Sequence, residues 1–172
     1  MTQKFSEELV LFDFSDPKNV AEWSSINDIV MGGLSEGGIR WAETGHLIFS
    51  GSVSLANNGG FASIKSLNKK YDLTGYKGIM LIALGDGKRY KFTVRTDTAF
   101  DGVSYQQVFV SLPQKQVEYF LPFDVFLPSY HGKKLPDHPP LDRSIIKRFG
   151  VIIADRQEGS FSLEIAKIFA VK

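Results

Sequence analysis

Cysteine is absent from the 172 residues, which excludes disulfide bonds, thiolate metal sites and cysteine nucleophiles together. Long apolar runs are missing as well. A membrane-spanning helix needs about 20 consecutive apolar residues, and the most apolar stretch here is only Ile79–Leu84, so no membrane insertion is expected. Charge of neither sign is massed, since 20 Lys and Arg face 19 Asp and Glu for a net charge of +1. Lys69-Lys70 and Lys88-Arg89 sit beside turn signals and read as solvated surface. A nucleic-acid partner would require a basic footprint and is not expected. The amino terminus, MTQKFSEELVLFDFS, carries two glutamates and lacks the apolar core of a signal peptide, so the expected location is cytoplasmic.

Catalytic motifs are equally scarce. No GxSxG elbow, P-loop or GxGxxG after a strand occurs, and His46, His131 and His138 lack the spacing of common zinc sites. Neither a metal nor a cofactor is expected, and the aspartates at 13, 16 and 28 read as turn caps rather than calcium ligands. Glycosidic hydrolysis needs two carboxylates at a fixed separation, and no pair among Asp97, Asp101, Asp124 and Asp155 can be assigned. A non-enzyme with no catalytic residues is the expectation.

What the chain does have is aromatic mass: 14 Phe, 6 Tyr and 2 Trp. Aromatic side chains pack well on pleated surfaces, which points to an all-β core. A chain of this length buries roughly 70% of its unfolded surface, enough for one domain spanning residues 1–172. Segments of β character recur at short intervals between Gly, Asn, Asp and Pro clusters. Residues 39–41 and 46–51 flank Glu43-Thr44-Gly45 as a hairpin. Asn57-Asn58-Gly59-Gly60 predicts a tight reversal between residues 53–55 and 61–64. Ile79–Leu84, apolar throughout, predicts a central strand. Gly85-Asp86-Gly87 reverses the chain into a strand whose Tyr90, Phe92 and Val94 alternate with Arg89, Lys91, Thr93 and Arg95. In residues 105–112, Val108, Val110 and Leu112 oppose Tyr105, Gln107, Phe109 and Ser111, and the Tyr105–Gln107 side is expected to be an amphipathic face able to hold a ligand. Residues 126–140 carry four of the seven prolines and predict a long loop. Residues 142–149 predict one or two helical turns. The nine or ten strands suit a two-sheet antiparallel jelly-roll sandwich with one short helix at most.

The densest local signal is WSSINDIVMGGLS, residues 23–35. Its Asn27-Asp28 and Gly32-Gly33 pairs mark either structural punctuation or a binding loop, with Trp23 and Met31 beside them. Further polar candidates are Asn57 and Asn58, Arg89 and Arg95 on one strand, and Tyr105 with Gln107 on another. Arg offers a planar donor fork, Tyr a stacking face with a polar tip, and Asn both donor and acceptor, a set suited to a polyhydroxylated ligand or a peptide. The Arg89–Lys91–Arg95 row also reads as an ordinary solvated stripe; Arg95 stands out because Asp97 follows it.

Taken together, several phrases resemble the complex I intermediate-associated protein 30 family, whose members assist assembly of respiratory NADH:ubiquinone oxidoreductase. They are Trp23 with Asn27 to Ser35, Phe49-Ser50-Gly51 with Asn57 to Ser63, Gly85-Asp86-Gly87 with Arg89-Tyr90-Lys91, and Gly159 to Ile165. The resemblance implies a galactose-binding-like jelly roll acting as a binding or chaperone-like module. Without a leader segment like that of the eukaryotic factor, the chain reads as a bare, bacterial version of the domain. Two classes of function stay open. One is capture of a protein client, an assembly intermediate of a membrane or redox complex, through residues 23–35 and exposed aromatics such as Phe126 and Tyr130. The other is binding of a carbohydrate or similar polyol through Arg95, Tyr105 and Gln107.

Overall fold

The computed structural model describes residues 4–27 and 33–172, and the side chains of Asn27 and Asn58 lie outside that description, as do Asp28, Met31 and Gly32. In chain order the strands are β1 (Glu8–Asp13), β2 (Trp23–Asn27), β3 (Glu36–Ala42), β4 (His46–Val53), β5 (Ala62–Ser66), β6 (Gly78–Leu84), β7 (Arg89–Arg95), β8 (Ser104–Val110), β9 (Gln116–Pro122), β10 (Leu127–Tyr130), β11 (Lys133–Lys134), β12 (Arg148–Ile153) and β13 (Gly159–Val171). They form two sheets. The first has six strands, in the order β3-β4-β13-β6-β9 with β1 also on β13; the second has seven, in the order β11-β10-β8-β7-β12-β5-β2. Every strand pairing is antiparallel. The expected all-β, galactose-binding-like sandwich is the observed fold.

β13 is the spine of the first sheet. Its first half pairs with β4 and its second half with β1, while β6 runs along the opposite edge. The register to β6 slips between Ile165 and Lys167, and the carbonyl of Ala166 there accepts from Phe14 N at 3.0 Å. A bulge at this point increases the local twist and lets one strand serve two collinear neighbours. Between the sheets Phe12, Phe14, Phe49, Phe92 and Phe149 are essentially without solvent contact. Trp23 stands edge-on to Phe12 at 5.2 Å and Phe149 edge-on to Phe12 at 6.3 Å, the arrangement that ring quadrupoles favour.

Several expectations are corrected. The Asn57 turn does contain positive φ, 54° at Asn57 and 140° at Gly60, but β4 and β5 belong to different sheets. The turn is thus a crossover rather than a tight hairpin reversal. Residues 142–149 form no helix: Ile146 bridges Tyr71 and Arg148 already opens β12. The described α-helix is instead Pro17–Val20, started by Asp16, whose side chain accepts from Lys18 N, with Pro17 in the first turn. The proline-rich stretch includes the short strands β10 and β11. Pro128 is tolerated in β10 because its carbonyl faces Leu135 N rather than β8, so its missing N–H removes no bond to β8. In β8 the assigned faces are exchanged. Tyr105, Phe109 and Ser111 are buried, while Val108 and Val110 are about half exposed. The Tyr105–Gln107 side, expected to hold a ligand, is the inward one, because pairing of Gln107 with Phe92 and of Phe109 with Tyr90 fixes that parity.

The Gly85-Asp86-Gly87 turn carries the chain from β6 in the first sheet to β7 in the second. Asp86 is its hub. Its carboxylate accepts from Tyr90 Oη at 3.0 Å and from the Ser162 N of β13 at 2.9 Å, and from Lys88 N at 3.0 Å. Ser111 Oγ receives Gly87 N at 3.2 Å and donates to Lys88 O at 2.9 Å. A Cβ on Gly85 would collide with the Ser111 side chain, so only glycine fits there. Burial, then the Asp86 charge, pushes the Tyr90 phenol far above its ordinary value. Asp86→Ala leaves a buried hydroxyl and a backbone N–H without their acceptor and is expected to cost about 2–4 kcal/mol in urea unfolding, against about 1 for Tyr90→Phe. Equal small losses from both would show that the turn is not a latch.

Asp13, Asp72 and Asp142 repeat one device. Each carboxylate accepts from the hydroxyl and the backbone N–H of Ser15, Thr74 or Ser144 two residues on, at 2.6–3.0 Å. These hydroxyl bonds, then the backbone bonds, hold all three carboxyls below their ordinary value of 3.8. A depressed folded-state pKa means the contribution is present above 3.8 and lost as pH falls below it. The urea midpoint is expected to drop as pH is lowered through that value, and the Asp13→Asn, Asp72→Asn, Asp142→Asn triple variant to flatten the drop.

Candidate functional site

The face of the second sheet turned away from the core is a groove. Strand registers set Ser24, Lys65, Gly150, Thr93, Gln106 and Leu127 in one row across it. Ile26, Ser63, Ile152, Lys91 and Val108 form the next row. Gly150 keeps the floor low, because a Cβ there would sit 2.5 Å from Thr93 Oγ1 and 2.8 Å from Ile64 O. Above this low floor is a hollow of about 150 Å³ lined by Lys65, Thr93, Arg95, Phe100, Ser104 and Arg148.

Residues 97–102, between β7 and β8, wall one side. Arg95 organises them, with Nη2 donating to Asp97 Oδ1 at 2.8 Å and to Ala99 O at 3.0 Å. Arg148 Nη2 donates to the same Ala99 carbonyl at 2.7 Å. Farther along, Asp101 accepts from Tyr130 Oη at 3.1 Å and contacts His131 Nε2 at 2.6 Å. His131, then Tyr130, holds the Asp101 carboxyl below its ordinary value. The wall so fixed presents Phe100, 70% exposed, with Lys65 Nζ 5.1 Å from its ring centre. Burial, then Arg148 and Arg95, lowers the Lys65 amine, and burial and Arg95 lower Arg148 likewise.

Of the residues nominated from sequence, Arg95 is in this groove. Arg89, on the same strand, is exposed, its backbone tied to Gln157. Tyr105 faces inward, 5% exposed, its hydroxyl donating to Pro139 O at 3.0 Å. Gln107 shares that parity, and its Oε1 is buried with no hydrogen-bond partner among the described residues. Neither therefore lines a ligand face with Arg95. Phe126 is a correction too: it is 3% exposed and packs against Phe92 and Phe123, so it is no exposed anchor. Tyr130 is 40% exposed. Trp23 belongs to the core and Gly33 is buried, while Asn57 sits in the crossover turn with its neighbour Asn58. Asp28, Met31 and Gly32 lie outside the described residues. Sequence reasoning missed Lys65, Phe100 and Arg148. Alternation of Lys65 with Ile64 and Ser66 was a usable signal; Arg148 was hidden by the helical reading of its segment. Among the described residues no group of three His, Asp or Glu side chains is placed to hold a metal ion, and no helix is long and apolar enough to cross a membrane.

Two antiparallel sheets in this order make a β-sandwich of the galactose-binding-like fold class. Within that class, the chain matches the Complex I intermediate-associated protein 30 profile over residues 12–165 and belongs to that family. An uncharacterised protein of Schizosaccharomyces pombe is 28% identical over 95% of this chain and 84% of its own length. The mitochondrial Complex I intermediate-associated protein 30 of Drosophila melanogaster is 26% identical over 91% of this chain, which spans 60% of that protein. Among solved structures, a family 11 carbohydrate-binding module of Clostridium thermocellum, solved with a β-1,3-1,4-mixed-linked tetrasaccharide, superposes with a TM-score of 0.71 at 18% identity, covering 95% of both chains. An agarase, AgWH50C, superposes at 0.64 and 16% identity over 96% of this chain and 24% of the agarase. At such identities the likeness is one of fold.

Gly102 is where the wall touches Arg95. A Cβ there would lie 2.5 Å from Arg95 Nη2 and 2.8 Å from Asp97 Oδ2, both ends of movable side chains. Gly102→Ala is expected to leave stability within about 1 kcal/mol while shifting the Arg95 Nε–Hε resonance in NMR. An unmoved resonance would mean Arg95 is not held by this contact.

Proposed function

We propose that this chain is a non-catalytic binding module that takes a saccharide or similar polyhydroxylated ligand in the groove of the seven-stranded sheet, residues 1–172 acting as one domain. The observation that carries the reading is the groove itself. A flat floor at Gly150, hydroxyls of Thr93 and Ser104, fixed donor forks at Arg95 and Arg148, and an exposed Phe100 ring surround one hollow. Sugars are recognised by that combination, an apolar ring face stacked on an aromatic and hydroxyls met by donors fixed beforehand. The family 11 module, whose structure contains a tetrasaccharide, has the same fold, which supports the reading by analogy.

A second reading, capture of a protein client, is favoured by a different observation. Val108, Val110, Leu112 and Leu127 are all more than 40% exposed toward one end of the same sheet, and the Drosophila relative is named for association with complex I intermediates. An apolar strip of this kind suits a partner surface.

Calorimetric and thermal-shift titration against a broad glycan panel separates the two. Ligand at 100 times its dissociation constant should stabilise the chain by about 2.7 kcal/mol, and Phe100→Ala, at an exposed site, should weaken binding about tenfold through lost stacking. Silence across the panel rejects the saccharide reading. Retention of a co-purified client by wild type and its loss in Val108→Ser/Leu127→Ser would then favour the second.

A further inference from the structure

Charge in the groove is out of balance. Arg95 and Arg148 are directly paired across β7 and β12, a placement in which like charges destabilise a sheet. Lys65 stands on the neighbouring strand, paired to Gly150, and lines the same hollow as both guanidiniums. Asp97 answers Arg95, but among the described residues no carboxylate lies within ion-pair distance of Arg148 or Lys65. Arg148 is 5% exposed, so its charge is held out of water with a lone carbonyl, Ala99 O, as its hydrogen-bond acceptor among the described residues. The Nε of Arg95 is buried and makes no hydrogen bond among them. Buried cations are ordinarily paired, because desolvation without a partner is costly. Three cations around one hollow with a single carboxylate beside them are the complement of a ligand that brings its own negative charge.

We infer that the groove selects an anionic saccharide, one bearing a carboxylate or a sulfate ester, with Arg148 and Lys65 meeting the anion and Phe100 stacking on the sugar ring. The inference rests on the saccharide reading above and narrows it. A planar guanidinium fork matches the oxygens of either anion, while Thr93 and Ser104 remain for neutral hydroxyls. Carboxylate and sulfate share this chemistry, so the source of the charge is left to the titration.

Isothermal titration with tetragalacturonate, a sulfated galactan tetrasaccharide and neutral cellotetraose tests it. One or both anionic probes should bind at least about tenfold more tightly than cellotetraose, the margin expected of one charge-assisted contact. The tighter of the two identifies the anion, and added salt should erode the margin. Arg148→Gln should remove the preference, weakening the anionic probes by at least about tenfold more than it weakens cellotetraose. Lys65→Gln, at a partly exposed site that tolerates substitution, should halve the preference or more, and it is read even if Arg148→Gln fails to fold. Tighter or equal binding of cellotetraose, or a preference unchanged in the folded variants, overturns the anionic assignment and leaves the saccharide reading standing. No binding of any probe by a folded protein, together with silence across the neutral panel, overturns both.

Discussion

The position of the groove depends on a polar junction between the sheets. Asp86 ties the turn leaving β6 to Tyr90 of β7 and to Ser162 of β13, so one carboxylate joins both sheets at the point where the chain passes between them. Tyr119 Oη of β9 adds a second tie by donating to Val110 O of β8 at 3.0 Å, while the apolar contact between the sheets is strong but not directional. β7 enters the second sheet in fixed register because its first residues are held there. Thr93 and Arg95 follow on the outer face, and every pairing to β12 and β8 inherits that register. The polar junction and the polar groove are therefore two ends of one strand.

The groove is made mostly by what its residues lack. Gly150 has no side chain where neighbouring strands approach within 3 Å of a Cβ, and Ser63, Thr93 and Ser104 are short. Arg148 and Lys65 then stand in a hollow instead of spreading into solvent, and the cost of their burial is not repaid by carboxylates in the described structure. Charges perturbed by burial and by neighbours of like sign cluster at functional sites. The chain belongs to the Complex I intermediate-associated protein 30 family, and the binding role proposed for it rests on this groove.

Much of the fold was legible from sequence because it is written in period-two alternation. Tyr90, Phe92 and Val94 are buried as their spacing requires, and the hairpin of β3 and β4 lies where Glu43-Thr44-Gly45 marked it. Alternation names two faces without saying which is inside, and β8 shows the consequence: Val108 and Val110 had the stronger claim to the core, yet pairing to β7 placed Phe109 there. Turn residues likewise mark a reversal without naming the sheet that receives the chain, so the Asn57 turn read as a hairpin. Of the residues nominated from sequence, Arg95 lines the groove. Lys65, Phe100 and Arg148 come from three separate segments, residues 62–66, 97–102 and 148–153, and only the antiparallel order β5-β12-β7 brings them together. Strand order is a long-range property that local pattern does not carry. Phe126 is no exposed anchor and Trp23 is part of the core for the converse reason, since large aromatics in a sandwich are more stabilising between the sheets than outside them.

The most direct measurement is NMR mapping of backbone and side-chain shifts on titration with a bound oligosaccharide. The account predicts that perturbations cluster at Lys65, Thr93, Phe100, Gly150 and Arg148 and leave the six-stranded sheet unmoved. Perturbations centred on β3, β4 or β9, with the groove residues silent, would contradict it.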